Sequence, residues 1–582
     1  MAAAQTIPAN AQKTVVTFTL KVDGDPVPET YQVQSVSVRT ELNRVPSAKL
    51  LLLDGNAAKQ DFPVSNEQFL IPGKTLEIFV GYRSEEDLIF SGVIVKHGLA
   101  VRRSGSPVLK LECKDEAMKM TVGPKSRYFS DVTDKEVIEE ILGDYDFDTE
   151  IEEDGVTHKE LVQYDATDWD FLISRVDMNG MLCLVENGAF TIQKPKFDQE
   201  PALGVEFGKT ILEFDAEMDA RTQYPPISMA WDYVNQELQE VEAQDPAVQE
   251  NGNLTSDDLE GVVDLSAYEL RHSGQLSQEE LQIWANSRYQ RSKLSKIRGR
   301  VKFSGFAQIK PGQLLTIGGV GDRFNGDVFV SGVRHEVVRG YWTTDVQFGL
   351  SPDFFTKRYD VNHAPASGLL PAIRGLHIGV VVQLHDDPDG EHRVLVRLPV
   401  ISQAEEGTWA RVATLDAGNN RGAFFRPEVG DEVIVGFINN DPRNAVVLGG
   451  LFSSAKAPPY TAEAANPEKG FVSREGLELK FDDGVKNILI RTPEENMLLL
   501  SEEDGGLTLA DQNGNSIVMD SSGITIESSS GSINIKAGGD VKSEAVNIEH
   551  NAQAQLKAAG MGGLEVSSSG TAIIKGTLVK IN

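Results

Sequence analysis

Short apolar pulses separated by turn residues make up the C-terminal segment, and this pattern constrains the fold more than any other feature. No aromatic residue follows Phe481, and the last proline is Pro493. Pulses of the form apolar–x–apolar begin at Leu479, Ile488, Leu498, Leu507, Ile517, Ile524, Ile533, Val546, Leu564 and Val579. Gly, Asn, Asp and Ser between the pulses indicate repeated strand–turn–strand units, each with a period-2 apolar face.

Two architectures fit these pulses. One chain can wind them into a parallel β-helix, or three chains can intertwine them into a triangular prism. In both, we expect parallel stacking in which each strand hydrogen-bonds to the next. The interior candidates are only Ile, Leu, Val, Met and Ala, and this thin aliphatic core favours the three-chain prism. Such a segment is not expected to fold as an isolated monomer, because each chain supplies only a third of the core.

Length and charge bound the remaining possibilities. A chain of 582 residues is too long for one core, so we expect about three to five domains. The formal net charge of −32 argues against nucleic acid as a partner, because binding to phosphates needs clustered Lys and Arg. It also disfavours an anionic membrane surface. No stretch of about 18 apolar residues predicts a transmembrane segment, and the N-terminus MAAAQTIPANAQ lacks the features of a signal peptide. Cys113 and Cys183 are expected to be buried free thiols.

Strand and helix signals divide the N-terminal part of the chain. Alternating runs predict a first β-barrel over residues 1–120 and a second over 201–360, with a helix-containing insert at 121–200. Three helices are expected at the capping boxes Thr133/Glu136, Thr167/Asp170 and Ser277/Glu280. The acidic stretch 236–264 reads as a surface excursion.

An internal repeat links the two predicted barrels. Pro72-Gly73 is followed by Ser91-Gly92-Val93, and Pro311-Gly312 by Ser331-Gly332-Val333. The repeat indicates either a duplicated strand–turn–strand unit or the recurrence of a common glycine turn, and the spacing favours duplication.

A third all-β block follows at residues 371–455. Its five strand-like runs with glycine-rich joints predict a small closed barrel of the OB type. A linker at 456–475 then leads to the pulses, which are assigned to a needle at 476–582.

Histidines and acidic residues in the OB block raise the question of a metal site. His377, His385 and His392 lie near the acidic run DDPDG at residues 386–390. Their spacing matches no compact ligand pattern and no calcium loop. DDPDG is interpreted instead as the turn between the first two OB strands, and neither a metal nor another cofactor is expected.

Several segments resemble the VgrG-type spike proteins of contractile injection systems (type VI secretion or extracellular phage-tail-like particles) and phage hub and needle proteins. The segments are RYFSDVTDKEVIEEILGDY, QYDATDWDFLISRVDMNGMLCLVENG, KTILEFDAEMDAR, the block from Pro311 to Gly349, and GAFFRPEVGDEVIVGFINNDPRNAVVLGGLFSSAKAPPY. The second is similar to the family signature Y-x-x-S-D-x-x-F, from which it departs at Ala166 and Thr167. The last is the most specific match. The resemblance covers the chain from about residue 14 to its end.

The resemblance implies a mainly β fold with a few helices, in which two hub β-barrels precede an OB-fold barrel and a trimeric intertwined β-helical needle (β-prism). It implies a homotrimer whose pseudo-six-fold hub sits on a hexameric inner tube protein, with baseplate proteins and effectors as further partners. A PAAR-type tip protein would dock on the closing residues Thr577, Leu578, Val579, Lys580, Ile581 and Asn582. The protein would be made in the bacterial cytoplasm and leave the cell as part of the injection particle.

The function expected is therefore that of a structural spike that pierces a target envelope, without enzymatic activity. Phage needle relatives can carry a lysozyme domain between the OB fold and the β-helix, but the linker here leaves no room for its carboxylate pair. The alternative is a β-helical tail spike that binds or degrades envelope polysaccharide, which predicts aromatic platforms or carboxylate pairs along the needle.

Overall fold

The structure is a computed structural model that describes residues 15–152, 156–265, 267–404 and 407–581. The chain divides into two units, Met1–Ala372 and Ile373–Asn582.

The first unit is built mainly of strands, with helices between them. Its strands are β1 (Val16–Val22), β2 (Asp25–Pro26), β3 (Val33–Glu41), β4 (Ser47–Leu53), β5 (Thr75–Tyr82), β6 (Glu85–Ala100), β7 (Val108–Lys114), β8 (Lys125–Thr133), β9 (Asp148–Ile151), β10 (Thr157–Ala166), β11 (Leu182–Glu186), β12 (Ala189–Gln193), β13 (Leu203–Glu206), β14 (Ile211–Met218), β15 (Pro226–Asp232), β16 (Glu237–Glu242), β17 (Tyr268–His272), β18 (Ile297–Ser304), β19 (Leu314–Gly318), β20 (Gly326–Val338) and β21 (Tyr341–Phe348). Its helices are α1 (Asp134–Gly143), α2 (Asp168–Met178), α3 (Ser256–Glu260), α4 (Gln278–Leu294) and α5 (Phe355–Arg358).

One continuous sheet joins the strands of both predicted barrels. Among the described residues it has 13 strands, in the order β14-β18-β21-β20-β3-β4-β7-β6-β5-β1-β2, with β13 and β19 attached beside β20. The junction is the antiparallel pair β3–β20, in which Val38 lies opposite His335. Tyr82 of β5 and Trp342 of β21 pack against each other in a tilted arrangement, with ring centroids 5.1 Å apart. The two barrel regions therefore share backbone pairing as well as side-chain contacts.

Three large buried clusters form most of the core of this unit. Strands β1 and β3–β7 enclose the first, to which Val337 and Trp342 of the later strands also contribute. Strands β13 and β18–β21 enclose the second, and α1 and α2 pack with β9, β11 and β12 around the third. The fold class is mainly β with a few helices, as expected. The domain boundaries at 120, 200 and 360 stay a prediction.

The Pro-Gly repeat gives the same local structure twice. Gly73 and Gly312 have positive φ angles of 97° and 89°, a region that L side chains disfavour. The N–H of Gly73 donates to the carbonyl of Ile94, and the N–H of Gly312 donates to that of Val330. Each turn opens an antiparallel pair, β5–β6 or β19–β20. The strand–turn–strand interpretation is confirmed, and duplication remains one explanation of it.

Helix starts follow the expected capping residues. Thr133 and Ser277 form complete capping boxes with Glu136 and Glu280, and the Thr167 side chain accepts from the N–H of Asp170. Each cap satisfies backbone donors that the first helical turn leaves unpaired.

A buried ionic network connects three of the helices. The Asp134 carboxylate at the start of α1 accepts from Arg175 Nε at 2.5 Å, from Asn179 Nδ2 at 2.8 Å, and from His158 Nε2 at 2.9 Å. The other ring nitrogen of His158 lies 3.3 Å from Glu280 Oε1, in the cap of α4. The hydrogen bond to Asp134, followed by that to Glu280, raises the pKa of His158 to about 9. A protonated His158 therefore bridges two carboxylates that belong to different helices.

The second unit contains a closed barrel followed by a meander. Its strands are β22 (His377–Gln383), β23 (Val394–Arg397), β24 (Thr408–Val412), β25 (Ala417–Gly418), β26 (Arg421–Gly422), β27 (Glu432–Phe437), β28 (Ala445–Gly450), β29 (Glu468–Val472), β30 (Glu478–Asp482), β31 (Asn487–Arg491), β32 (Met497–Ser501), β33 (Gly506–Ala510), β34 (Asn515–Asp520) and β35 (Gly523–Ser528). Strands β22-β23-β24-β28-β27 close the barrel, whose core is made of small β-branched and alanine side chains. The expected five-stranded barrel of the OB type is confirmed.

Strands β29–β35 form one sheet in sequence order, and every neighbouring pair is antiparallel. The expectation of parallel stacking is therefore wrong for this segment. The physical reason is the length of the connections, because short turns reverse the chain and can join only antiparallel neighbours, whereas parallel neighbours need a long crossover.

The pH dependence of the first unit tests the ionic network. A raised folded-state pKa means that the contribution of His158 to stability is complete below its ordinary value of 6.5 and is lost as pH rises through about 9. We expect the free energy of unfolding of this unit to fall by about 2 kcal/mol across that window. Urea unfolding at several pH values measures it. The H158Q variant should show a flatter profile, and the exposed-site control H272Q should keep the wild-type slope. A wild-type slope in H158Q would contradict the assignment.

Candidate interaction surface on the C-terminal meander

The register of the meander places two rows of apolar side chains on one face of the sheet. Because directly opposed residues in an antiparallel pair point to the same side, each row can be followed from strand to strand. The first row contains Phe471, Leu479, Ile490, Leu498, Leu509, Ile517 and Ile526. The second row contains Phe481, Ile488, Leu500, Leu507, Met519 and Ile524. We call these thirteen residues the apolar face.

The apolar face is uncovered in the single chain. Leu509 is 51% exposed, Ile526 is 55% exposed and Ile524 is 68% exposed. A groove of about 670 Å³ runs beside the first row. Contiguous apolar patches of this kind mark interaction sites on soluble proteins.

The opposite face is mixed. From β30 to β35 its central row is Lys480, Leu489, Leu499, Thr508, Val518 and Thr525, and Glu478 and Arg491 form a charged pair beside this row. This contrast between the two faces is the pattern expected of a sheet that buries one side against a partner and leaves the other side in water.

Acidic turns border the sheet and hold its register. The Asp511 carboxylate accepts from the backbone N–H groups of Asn513 and Asn515, both at 2.9 Å, and from the Asn515 side-chain amide at 2.7 Å. The hydrogen bonds from Asn515 lower the pKa of Asp511 to about 2. The Ser501 hydroxyl caps the turn at the other edge by accepting from the N–H of Asp504. These local bonds stabilise the reversals that generate the two rows.

Residues 529–581 differ from the meander. Within this segment the structure assigns no strand or helix, and its side chains are exposed, Val546 completely. The apolar pulses at Ile533, Val546, Leu564 and Val579 nevertheless continue the earlier pattern. Backbone N–H and C=O groups that have no partner within the chain are satisfied only by water or by another chain.

The residues expected to dock a tip protein lie at the end of this segment. Thr577, Leu578, Val579, Lys580 and Ile581 are exposed and lie outside any strand, and Asn582 lies outside the described residues. Nothing in the single chain tests this assignment, which stays a prediction.

The acidic run of the barrel is a turn, as interpreted from the sequence. It connects β22 to β23. The Asp387 carboxylate accepts from the backbone N–H groups of Asp389, Glu391 and Arg393, and the Arg393 guanidinium beside it lowers its pKa. Over the described ranges, no group of three or more His, Cys, Asp or Glu is arranged to hold a metal ion.

The two cysteines and the helices show no sign of a disulfide or of a membrane-spanning segment in the described residues. Cys113 and Cys183 are free and buried, as expected, and burial raises the pKa of both thiols. In the part of the chain that the structure covers, no helix has both the length and the apolar character needed to cross a membrane.

Sequence reasoning found the pulses but missed two features of the site. It did not find the antiparallel register that aligns the pulses in two rows. It also missed the stacking of Phe425 in the barrel on Phe471 at the start of the meander. The isolated pair Phe424-Phe425 in a glycine-rich loop was the available signal for the second feature.

Three family models match the chain. The model of the Alg8 N-terminal domain matches residues 12–339. That of the type VI secretion system/phage-baseplate injector OB domain matches 377–452, and that of the phage baseplate V C-terminal trimerisation domain matches 487–549. The last includes most of the apolar face.

Curated relatives are spike proteins. The chain is 27% identical over 213 residues to the type VI secretion system spike protein VgrG1a of Pseudomonas aeruginosa, a match that covers 34% of this chain and 33% of the relative. It is 28% identical over 201 residues to VgrG1b of the same organism, covering 32% and 26%. The match spans a third or less of these relatives. The resemblance to VgrG-type spike proteins is confirmed.

Among solved structures, the chain matches the tail protein from Neisseria meningitidis MC58. It matches with a TM-score of 0.43 and 12% identity, over 58% of this chain and 96% of that one.

Self-association through the apolar face can be tested with matched variants on one strand, β33. The variants L507D and L509D place a charge on the apolar face, and T508D places the same charge on the opposite face. An uncompensated charge in a buried interface costs at least about 3 kcal/mol, so we expect the first two to abolish self-association and T508D to retain it. Analytical ultracentrifugation measures the result, and equal association in all three would exclude this face.

Proposed function

Because the chain belongs to the family of the Alg8 N-terminal domain, whose model matches more than half of it, and is similar to VgrG-type spikes, we propose that it is the structural spike, hub plus needle, of a contractile injection machine. Its role in this proposal is mechanical rather than enzymatic. It transmits the force of a contracting sheath and pierces a target envelope.

One observation carries the proposal, which is the apolar face that a single chain leaves uncovered. Three copies that turn this face inward form a prism with a dry aliphatic core, and each copy supplies one wall. The match of residues 487–549 to a trimerisation domain supports three rather than two copies. Burial then stabilises the assembly by about 25 cal/mol per Å² of apolar surface removed from water.

The composition of the needle suits this mechanical role. In each wall the antiparallel ladder pairs the backbone along its whole length, and such ladders resist bending because many hydrogen bonds must break together. The acidic turn residues lie at the edges of the wall and keep the outside hydrated. They are Asp482, Asp483, Glu494, Glu495, Glu502, Glu503, Asp504, Asp511 and Asp520.

In this proposal, the segment 529–581 forms the second, distal part of the needle. Its unpaired pulses find strand partners in the other two chains, so this part forms only in the trimer. The meander already pairs its strands within each chain. It provides the register on which the three distal segments intertwine.

Further partners follow from the proposed role. A hexameric inner tube protein contacts the hub, baseplate proteins surround it, and effector proteins travel with it. A PAAR-type tip protein docks on residues 577–582. The spike is made in the bacterial cytoplasm and leaves the cell with the particle.

A polysaccharide-binding or polysaccharide-degrading tail spike is the second candidate. It requires aromatic platforms or paired carboxylates on the outer face of the needle. The centre of the outer face carries Lys480, Leu489, Leu499, Thr508, Val518 and Thr525. Its opposed carboxylates Glu468 and Asp482 are both ion-paired with Lys480, which argues against a catalytic pair. Turnover in a peptidoglycan or polysaccharide hydrolysis assay would restore this alternative.

The trimer is the first expected outcome. Light scattering coupled to gel filtration should give three times the chain mass of 63.5 kDa. Electron microscopy of the purified protein should show three-fold spikes with one narrow end. A monomer or dimer at micromolar concentration would refute the proposal.

Tip docking is a separate prediction. Deletion of residues 577–582 removes the final pulse and should abolish binding of the cognate PAAR-type protein while the trimer persists, because the apolar face is intact. A pull-down with the full chain and the deletion variant measures this. The control K580Q, which removes one charge but keeps all apolar residues of the final pulse, should still bind. Undiminished binding by the deletion variant would show that the tip protein docks elsewhere.

A further inference from the structure

The junction between the barrel and the meander contains a second uncovered apolar surface. Phe425, in the loop before β27, stacks on Phe471 of β29 with ring centroids 5.3 Å apart and an angle of 16° between the planes. Phe425 is 68% exposed and Phe471 is 50% exposed. Stacked aromatic rings with their outer surfaces in water are unusual in a soluble chain that stays alone.

A cavity of about 850 Å³ opens beside this stack. Leu415, Leu448 and Phe452 line it together with the two stacked rings, and Leu415 is 92% exposed. Its rim is polar, because Lys456 Nζ lies 2.9 Å from the Asp431 carboxylate and donates to the carbonyl of Gly430 at 2.6 Å. An apolar floor with a polar rim is the anatomy of a protein–protein contact.

The continuity of the apolar face with the cavity indicates which molecule covers the cavity. Phe471 is the first residue of the first row of the apolar face, since it lies opposite Leu479 in the β29–β30 pair. The row therefore runs from the meander into the cavity without interruption. A partner that covers the row at Ile490 and Leu498 continues onto Phe471 and the ring stacked on it.

We propose that the junction cavity is a docking site for a second copy of this chain. The inference rests on the proposed function and extends its interface from the matched region 487–549 to the OB barrel. Aromatic side chains occur only at this end of the meander, and aromatic residues dominate the energetics of interfaces. The junction anchors the neighbouring chain at the base of the needle.

The chain offers a direct test of coverage. Its two native cysteines are buried, so a cysteine introduced by L415C is the site that reacts with maleimide. The control variant E391C places a thiol in the exposed turn between β22 and β23. In the intact trimer we expect L415C to react about tenfold or more slowly than E391C.

A double variant distinguishes protection by a docked copy from protection by the barrel of the same chain. In the double variant L415C/L507D, the charge on the apolar face prevents association, and the thiol at position 415 should then react as fast as that of E391C. Slow labelling in both backgrounds would mean that the barrel itself shields the site and would overturn the inference.

The outcomes distinguish this inference from the proposed function. A trimer in which L415C reacts as fast as E391C overturns docking at the cavity and leaves the spike proposal intact. A chain that does not form a trimer refutes the spike proposal itself. Phe425 gives an independent measurement, because it lies in the cavity but outside the apolar face: F425A should lower the temperature of trimer dissociation. The adjacent variant F424A, which changes an exposed ring outside the cavity, should not lower it.

Discussion

The burial of one apolar sheet face is the constraint on which the second unit depends. Thirteen side chains align in two rows because six antiparallel pairs keep a single register, and no element of the described chain covers them. A sheet with one dry face is stable only when that face meets another surface. Association is therefore part of folding for this segment, and the acidic turns direct it inward by keeping the edges in water.

In the first unit, two barrel regions and a helical insert are joined rigidly. The β3–β20 pair makes one sheet of both regions, so relative movement would break backbone hydrogen bonds. The network around Asp134 fixes the insert, because it connects α1, α2 and the cap of α4 through charges that cannot be left unpaired when buried. A unit built in this way transmits force with little deformation, which suits the base of a spike.

The junction between barrel and meander links these two requirements. Without contact between copies at the base, a needle held only by its aliphatic face could rotate about its own axis relative to the barrels. Aromatic stacking across the barrel–meander boundary within each chain, and contact between copies at the same level, would fix that angle. No aromatic residue follows Phe481, so in the proposed trimer the distal core is narrow and the larger rings lie at the base of the needle.

The sequence by itself determined the local structure and the periodicity. Capping residues such as Thr133 and Ser277 specify helix starts through bonds to neighbours three residues away. The apolar pulses from Leu479 to Ile524 specify strands with one dry face, whereas the later pulses form no strand in the described single chain. Five strand-like runs with glycine joints also sufficed for the OB barrel. Only the tertiary structure decided the direction of pairing, the merging of two barrel regions through β3 and β20, and the meeting of Phe425 with Phe471. These features depend on contacts between residues far apart in the chain, and the pulses look the same whether their strands pair in parallel or antiparallel.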